Sequence, residues 1–328
     1  MDVMRPKSLT PLLVDGDARA KQELCDAVAE ALHVAGALVV RDPRCDAADS
    51  AHFLDAMERY FGRSREAKLV DARPDIHYQV GVTPDHVEVA RGRVEADPKW
   101  RFMWRIGPRP THTRYHELNA APVVPDGMPE WPQVMDVWGN AMLKSVECVA
   151  RAAAVGFGLE EDAFVERMRW GPHLLAPTGC DLEQHGQLDV VFAGKHCDLN
   201  FLTIHGKARF PGLRIWLRDG TPMDVQVPEG CLLVQAGKQM EWLTGGHVCA
   251  GAHEVRVTEE TLRVMEEKKR RGESLWRVSS TVFGHVASDQ VLRPLGKFNT
   301  PEALERYPPI HAGEFVQQEL EAIRLKVA

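Results

Sequence analysis

The 328-residue chain predicts a mostly β core with flanking helices, an α+β fold built on a double-stranded β-helix, or jelly roll, with an α-rich N-terminal region. Two observations carry this. Eight short apolar runs with turn residues between them follow Trp170, whereas apolar residues at helical spacing dominate before it. A hydrophobic content of 44% over 328 residues is enough for a large core in one or two domains.

Leu24, Ala27, Val28, Ala31 and Leu32 repeat at helical spacing before Gly36, which predicts a helix over 21–35. Ala37-Leu38-Val39-Val40 reads as a strand, and Phe53, Met57, Tyr60 and Phe61 mark a second helix over 50–61. From 71 to 132 the chain is punctuated by nine prolines and reads as a long irregular stretch of the kind usually tied to function. It concentrates charge and aromatics at Arg101, Trp104, Arg105 and Arg109, and with Tyr78 these make Arg101 and Arg105 candidate substrate contacts. Val134, Trp138, Met142, Val149 and Ala153 share one face of a helix over 134–157, and a shorter helix is expected over 160–168.

The eight predicted strands cover 188–192, 199–204, 213–217, 223–227, 231–235, 246–250, 253–257 and 275–283. Between the last two, 258–272 reads as a solvated helix opened by Thr258-Glu259-Glu260-Thr261 and closed by a basic run, as the helix dipole favours. A closing helix is expected over 313–327. The domain reading is an N-terminal region over 1–130 packing on 131–328, with the jelly-roll core at about 171–290.

Composition narrows the function classes. No run approaches 18 apolar residues, so no membrane span is expected, and the N-terminus lacks the apolar stretch of a secretory signal, which points to the cytoplasm. Seven cysteines form no CxxC pair and make an odd total, arguing against a zinc module and a disulfide framework. A net charge of -7 gives no footprint for nucleic acid, so the expected partner is a small molecule and the chain a monomer or weak homo-oligomer.

The chemistry concentrates in His196-Cys197-Asp198 and in His253, 55 residues beyond Asp198. Residues two apart on a strand point to the same side, so His196 and Asp198 can converge on one ion while Cys197 points away. Two imidazoles and one carboxylate on one face leave metal positions open, as in non-heme iron(II) oxygenases. Alone, the triplet equally describes a polar strand end. Downstream, Arg277 and Ser279 alternate within the apolar run 275–283, a planar fork of donors beside a hydroxyl that suits a carboxylate. An edge-strand arginine in a surface ion pair is the plainer reading of that pair.

The order of segments settles more than any one motif. After the triplet come Leu202-Thr203-Ile204, Gly212-Leu213-Arg214-Ile215-Trp216, Pro228-Glu229-Gly230-Cys231-Leu232 and Leu243-Thr244-Gly245-Gly246, then His253 and Arg277-Val278-Ser279. This order resembles the isopenicillin N synthase-like branch of the 2-oxoglutarate/Fe(II)-dependent oxygenases. The resemblance implies iron(II) held by His196, Asp198 and His253, and 2-oxoglutarate held through its distal carboxylate by Arg277 and Ser279. It implies a dioxygenase that takes O2, releases succinate and CO2 and oxidises a C–H bond of a small organic molecule.

Three departures stand against the family pattern. A tyrosine that helps bind 2-oxoglutarate in the family has no counterpart near Gly171-Pro172-His173-Leu174, Lys238 replaces an acidic residue in a turn, and Arg277 lies 24 positions after His253, more than twice the usual interval. The missing tyrosine leaves open an isopenicillin N synthase-like Fe(II) oxidase that does without 2-oxoglutarate. A non-catalytic jelly-roll binding protein is a third reading.

Overall fold

The protein is described by a computed structural model covering residues 4–14, 16–89, 94–323 and 325. The N-terminal third runs β1 (Lys7–Ser8), α1 (Ala18–Ala35), β2 (Ala37–Arg41), α2 (Ala47–Phe61), α3 (Arg65–Leu69), β3 (Gly81–Thr83) and β4 (Trp100–Arg105). Next come α4 (Trp131–Gly156), α5 (Val165–Met168), β5 (Leu174–Leu175), β6 (Thr178–Asp181), α6 (Leu182–His185) and β7 (Val191–Cys197). The core continues through β8 (Leu202–His205), β9 (Leu213–Trp216), β10 (Pro222–Val225), β11 (Leu232–Ala236), α7 (Lys238–Leu243), β12 (Ala252–Arg256), α8 (Glu259–Arg270), β13 (Trp276–Ser279) and β14 (Thr281–Gly284). The chain closes with β15 (Val291–Leu292), α9 (Pro301–Arg306), β16 (Ile310–His311) and α10 (Ala312–Ala322).

Two sheets face one another. The larger runs β1-β2-β11-β8-β14-β5-β4-β6-β13 with β3 paired to β4, and the smaller runs β10-β9-β12-β7. Neighbours come from distant parts of the chain, as a jelly roll demands: β8 pairs with β14 and β11, and β12 with β7 and β9. The helices cover the outside of the larger sheet, α4 lying against β8 and β14 and α2 against β6 and β13. A buried seam of Val134, Trp138, Met142, Val146 and Val149 on α4 joins the helices to the sheet, and the Trp138 indole donates to the Ser280 hydroxyl at 2.5 Å.

Local signals explain the first elements. Asp17 caps α1 by accepting from the Arg19 and Ala20 amides, and Gly36 ends it with φ 63°, where an added Cβ would lie 2.9 Å from the Cys249 carbonyl. Val40, Val39, Leu38 and Ala37 then pair with β11 residues 232–235, so the predicted strand becomes part of the larger sheet.

The structure departs from expectation in several places. The stretch from 71 to 132 is not wholly irregular, because β3 and β4 lie within it and β4 pairs with β5 and β6. The predicted strand over 246–250 does not form. The chain instead makes α7 and then turns through Gly245 and Gly246, both at positive φ, with the Thr244 hydroxyl accepting from the Val248 amide. The run over 275–283 is two strands broken at Ser280, and the expected helix over 160–168 shrinks to α5. The strands β5 and β6 were not foreseen, being short and flanked by Gly and Pro. The predicted closing helix is α10, and the end of its expected span at 326–327 lies outside the described residues.

Candidate active site

The register of the smaller sheet builds the centre of the site. In the antiparallel pair β7–β12, His196 stands directly opposite His253, so residues 57 apart in sequence become cross-strand neighbours with ring centroids 4.3 Å apart. Asp198 lies one residue beyond the end of β7 rather than in it, and the turn swings its carboxylate between the rings. His196 Nε2 lies 3.5 Å from Asp198 Oδ1, and His253 Nε2 3.8 Å from Asp198 Oδ2. One ligand atom from each of the three falls within 4.8 Å of the others, close enough to share one ion. Cys197 points the other way, its thiol toward the Ala250 carbonyl at 3.6 Å and pushed up to about 11 by burial, which makes it an inert neighbour.

The surroundings hold these groups in the form a metal takes. His196 Nδ1 lies 2.7 Å from the Gly194 carbonyl, which fixes Nδ1–H as donor and leaves the Nε2 lone pair free toward the other ligands. Gly194 N–H in turn donates to Asp97 at 3.2 Å. Burial pushes the His253 imidazole down to about 3, outweighing the attraction of Asp198, so the ring is neutral. Burial alone would raise the Asp198 carboxyl, but His253, His196 and the Thr203 hydroxyl, which donates at 2.6 Å, hold it well below the usual carboxylate range. Two imidazoles, one of them buried and neutral, converging on an ionised carboxylate fit a divalent cation.

His196 and Asp198 line two chambers, and His253 lines the first of them. The first, about 490 Å³, lies between the sheets and is bounded by both. Arg277, Ser279, Thr281 and Phe283 all line it, because side chains on alternate residues keep facing the same way across the break at Ser280. Arg277 is 3% exposed and donates through Nε to the Pro211 carbonyl at 3.0 Å. Burial lowers its guanidinium below the ordinary arginine value, and among the described residues no carboxylate pairs with it. The other charged side chains lining this chamber are all answered: Arg101 by Glu88, Arg209 by Asp55 and Glu58, Lys207 by Glu229, and Glu260 by Arg263. An unanswered buried cation costs several kcal/mol unless a ligand supplies the anion, so the chamber fits a carboxylate co-substrate.

The 24-position interval from His253 to Arg277 also finds its place. The helix α8 is not simply solvated, because Leu262, Val264 and Met265 pack on a buried cluster with Phe192, Phe210 and Val257 while Glu260 and Val264 face the first chamber. Its Thr258–Thr261 capping box matches the predicted N-terminus. The insertion is a wall of the chamber.

The second chamber, about 310 Å³, also has His196 and Asp198 in its lining and is bounded by Val316, Glu319 and Leu320 of α10. Arg101 lines both chambers, its guanidinium 3.1 Å from Glu88 and 3.3 Å from the Thr178 hydroxyl. Of the other expected substrate contacts, Tyr78 lines neither chamber and packs against the core. Arg105 is likewise turned away: it is 4% exposed and its guanidinium donates to the carbonyls of Ile106, Pro108, Gly171 and His173. It ties loops together at the end of β4, where strand alternation alone would have put it on the face of Arg101.

Thr281 escaped the sequence reading; it continues the alternation begun at Arg277 and could have been found by extending it. His205 lines the first chamber with its ring 5.5 Å from that of His253, and His285 lines the second, in keeping with a sequence reading of these two core-region histidines as structural or pocket-lining residues rather than ligands.

Residues 176–285, which contain every one of these motifs, match the 2OG-Fe(II) oxygenase superfamily. Over its whole length the chain is similar to the structure of a Caulobacter crescentus protein placed in the 2OG-Fe(II) oxygenase family, at 25% identity, with 98% of this chain and 100% of that one covered and a TM-score of 0.79. The fold is also that of a full-length Neurospora crassa protein in complex with alpha-KG and thymine, at 19% identity, 98% coverage of each chain and a TM-score of 0.78. Azadirone synthase LFS of Melia azedarach is 24% identical over 218 residues, and the match covers 62% of this chain but only 59% of the synthase.

Proposed function

We propose, given that residues 176–285 form a 2OG-Fe(II) oxygenase superfamily domain, that the chain is an Fe(II)- and 2-oxoglutarate-dependent dioxygenase acting on a small organic molecule. The observation that carries this reading is the juxtaposition of the His196, Asp198 and His253 cluster with the unanswered Arg277 guanidinium in one chamber. When bound, iron and 2-oxoglutarate supply oxygen activation and the electrons for it, leaving succinate, CO2 and an oxidised C–H bond.

The residues divide the remaining work. His196, Asp198 and His253 would hold the metal, with the Gly194 carbonyl keeping the His196 Nε2 lone pair turned inward. Arg277 would grip the distal carboxylate of 2-oxoglutarate through its planar fork, with Ser279 and Thr281 offering hydroxyls beside it. The Phe192, Phe210 and Leu213 side chains exclude water from the same space and strengthen those contacts. The binding-protein reading has no use for three ligand groups held in metal-ready form.

Among the described residues no tyrosine lines the first chamber, and this favours a second reading, an isopenicillin N synthase-like oxidase in which Arg277 meets the substrate's own carboxylate. Adding Fe(II) anaerobically and then 2-oxoglutarate separates the two. A visible metal-to-ligand charge-transfer band on addition of 2-oxoglutarate is the expected result; iron binding without a band selects the oxidase, and failure to bind iron removes both.

A further inference from the structure

The second chamber answers its own charges. Lys99 lies 2.8 Å from Asp97 and 2.9 Å from Glu88, Glu88 reaches Arg101 at 3.1 Å, and Lys238 meets Glu319 on α10 at 2.5 Å. Among the described lining residues other than the triad, three cations thus face three carboxylates, so no net charge is left to attract an ionic group. Glu88, Asp97 and Lys99 are each buried, and Arg101 and Lys99 draw the Glu88 carboxyl down to about 2 against the effect of burial, so Glu88 stays ionised and paired at neutral pH.

Around that balanced cluster the walls are mostly apolar, with Val89, Met103, Leu174, Phe283, Val316 and Leu320, and two side-chain amides there, Gln79 and Asn200, already donate to the His77 and Gly284 carbonyls. One polar atom stands apart. The His285 ring is 4% exposed, its Nδ1 has no hydrogen-bond partner, and burial keeps the imidazole neutral, lowering it to about 3. A neutral ring can give or take one hydrogen bond without presenting a charge.

We infer that the chamber beside the triad takes a neutral, predominantly apolar organic molecule with one polar group set against His285. The inference rests on the oxygenase reading, since the chamber is a substrate site only if His196 and Asp198 hold the metal. An anionic substrate would bury its carboxylate among groups already paired, and would have to break the Lys99 or Arg101 pairs to gain a partner. A neutral molecule meets no such cost and gains from the burial of its apolar surface.

Matched pairs of ligands test this on the full chain loaded anaerobically with Fe(II) and 2-oxoglutarate: decanoic acid against methyl decanoate, and 1-naphthylacetic acid against its methyl ester. Binding is read by the change in the charge-transfer band and by the rise in melting temperature. If the band itself fails to form, the oxygenase reading falls first and the chamber has no assigned role. With the band in place, the esters are expected to bind at least tenfold more tightly than the acids. Acids that bind as tightly as their esters overturn the inference, and so does a protein to which neither member of either pair binds. Met103→Glu, which sets an unanswered carboxylate in the chamber wall, is expected to weaken ester binding at least tenfold while the band persists; ester binding at the parental level would also overturn it.

Discussion

Arg277, buried, and Arg101, half-buried, both lie beside the triad, and they differ in who supplies their anion. Arg101 is satisfied by Glu88, which comes from a neighbouring stretch of the same chain, and together with Lys99 and Asp97 it forms a closed cluster. Arg277 reaches only the Pro211 carbonyl and faces a cavity of about 490 Å³. The chain itself answers the Arg101 guanidinium and, among the described residues, sets no carboxylate against that of Arg277. Beside the triad, one chamber thereby calls for a carboxylate and one does not.

Replacements in the triad have the largest expected effect. His253→Ala removes one of three ligands and is expected to weaken Fe(II) binding by about 100-fold or more, as seen in an anaerobic metal titration, with the fold retained by circular dichroism. Unchanged iron affinity would place the metal elsewhere.

Arg277→Ala tests the contrast directly. Loss of a buried, charge-assisted contact of about 2–5 kcal/mol predicts a Kd for 2-oxoglutarate raised by some 30-fold or more, with Fe(II) affinity held. Arg277→Lys is expected to recover only part of this, because an ammonium cannot form the bidentate fork. A 2-oxoglutarate affinity untouched by either change would end the anchor role.

The smallest effect tests the closed cluster through pH. The Glu88 carboxyl sits at about 2 in the folded chain against 4.5 ordinarily, so its contribution to stability is complete above 4.5 and is lost as pH falls toward 2. Urea unfolding of the parent protein should therefore show stability falling between about pH 5 and pH 3. Glu88→Gln should be less stable at about pH 5 and lose less over that interval. Parallel curves for the two proteins would mean that the carboxylate is not engaged as the geometry has it.

The site was legible where chemistry follows local alternation. Arg277 and Ser279 lie two apart on β13, and strand geometry alone puts them on one side; His196 and Asp198 share that spacing, although the turn after β7 is what carries Asp198 to the ring. The same rule failed for Arg105, four residues after Arg101, because β4 ends there and four loop carbonyls take its guanidinium. Likewise the 246–250 run looked like a strand by composition but had no neighbour to pair with once α7 had turned the chain.

Neighbouring positions along the chain were enough for the ligand chemistry, the helical N-terminal region and the order of short strands, since periodicity and residue type are local properties. Folding in three dimensions added that His196 stands across from His253, that α8 walls the first chamber, and which buried charges are answered. Those facts depend on strand register and on partners far along the chain, and no local pattern encodes which distant carboxylate will reach a given arginine.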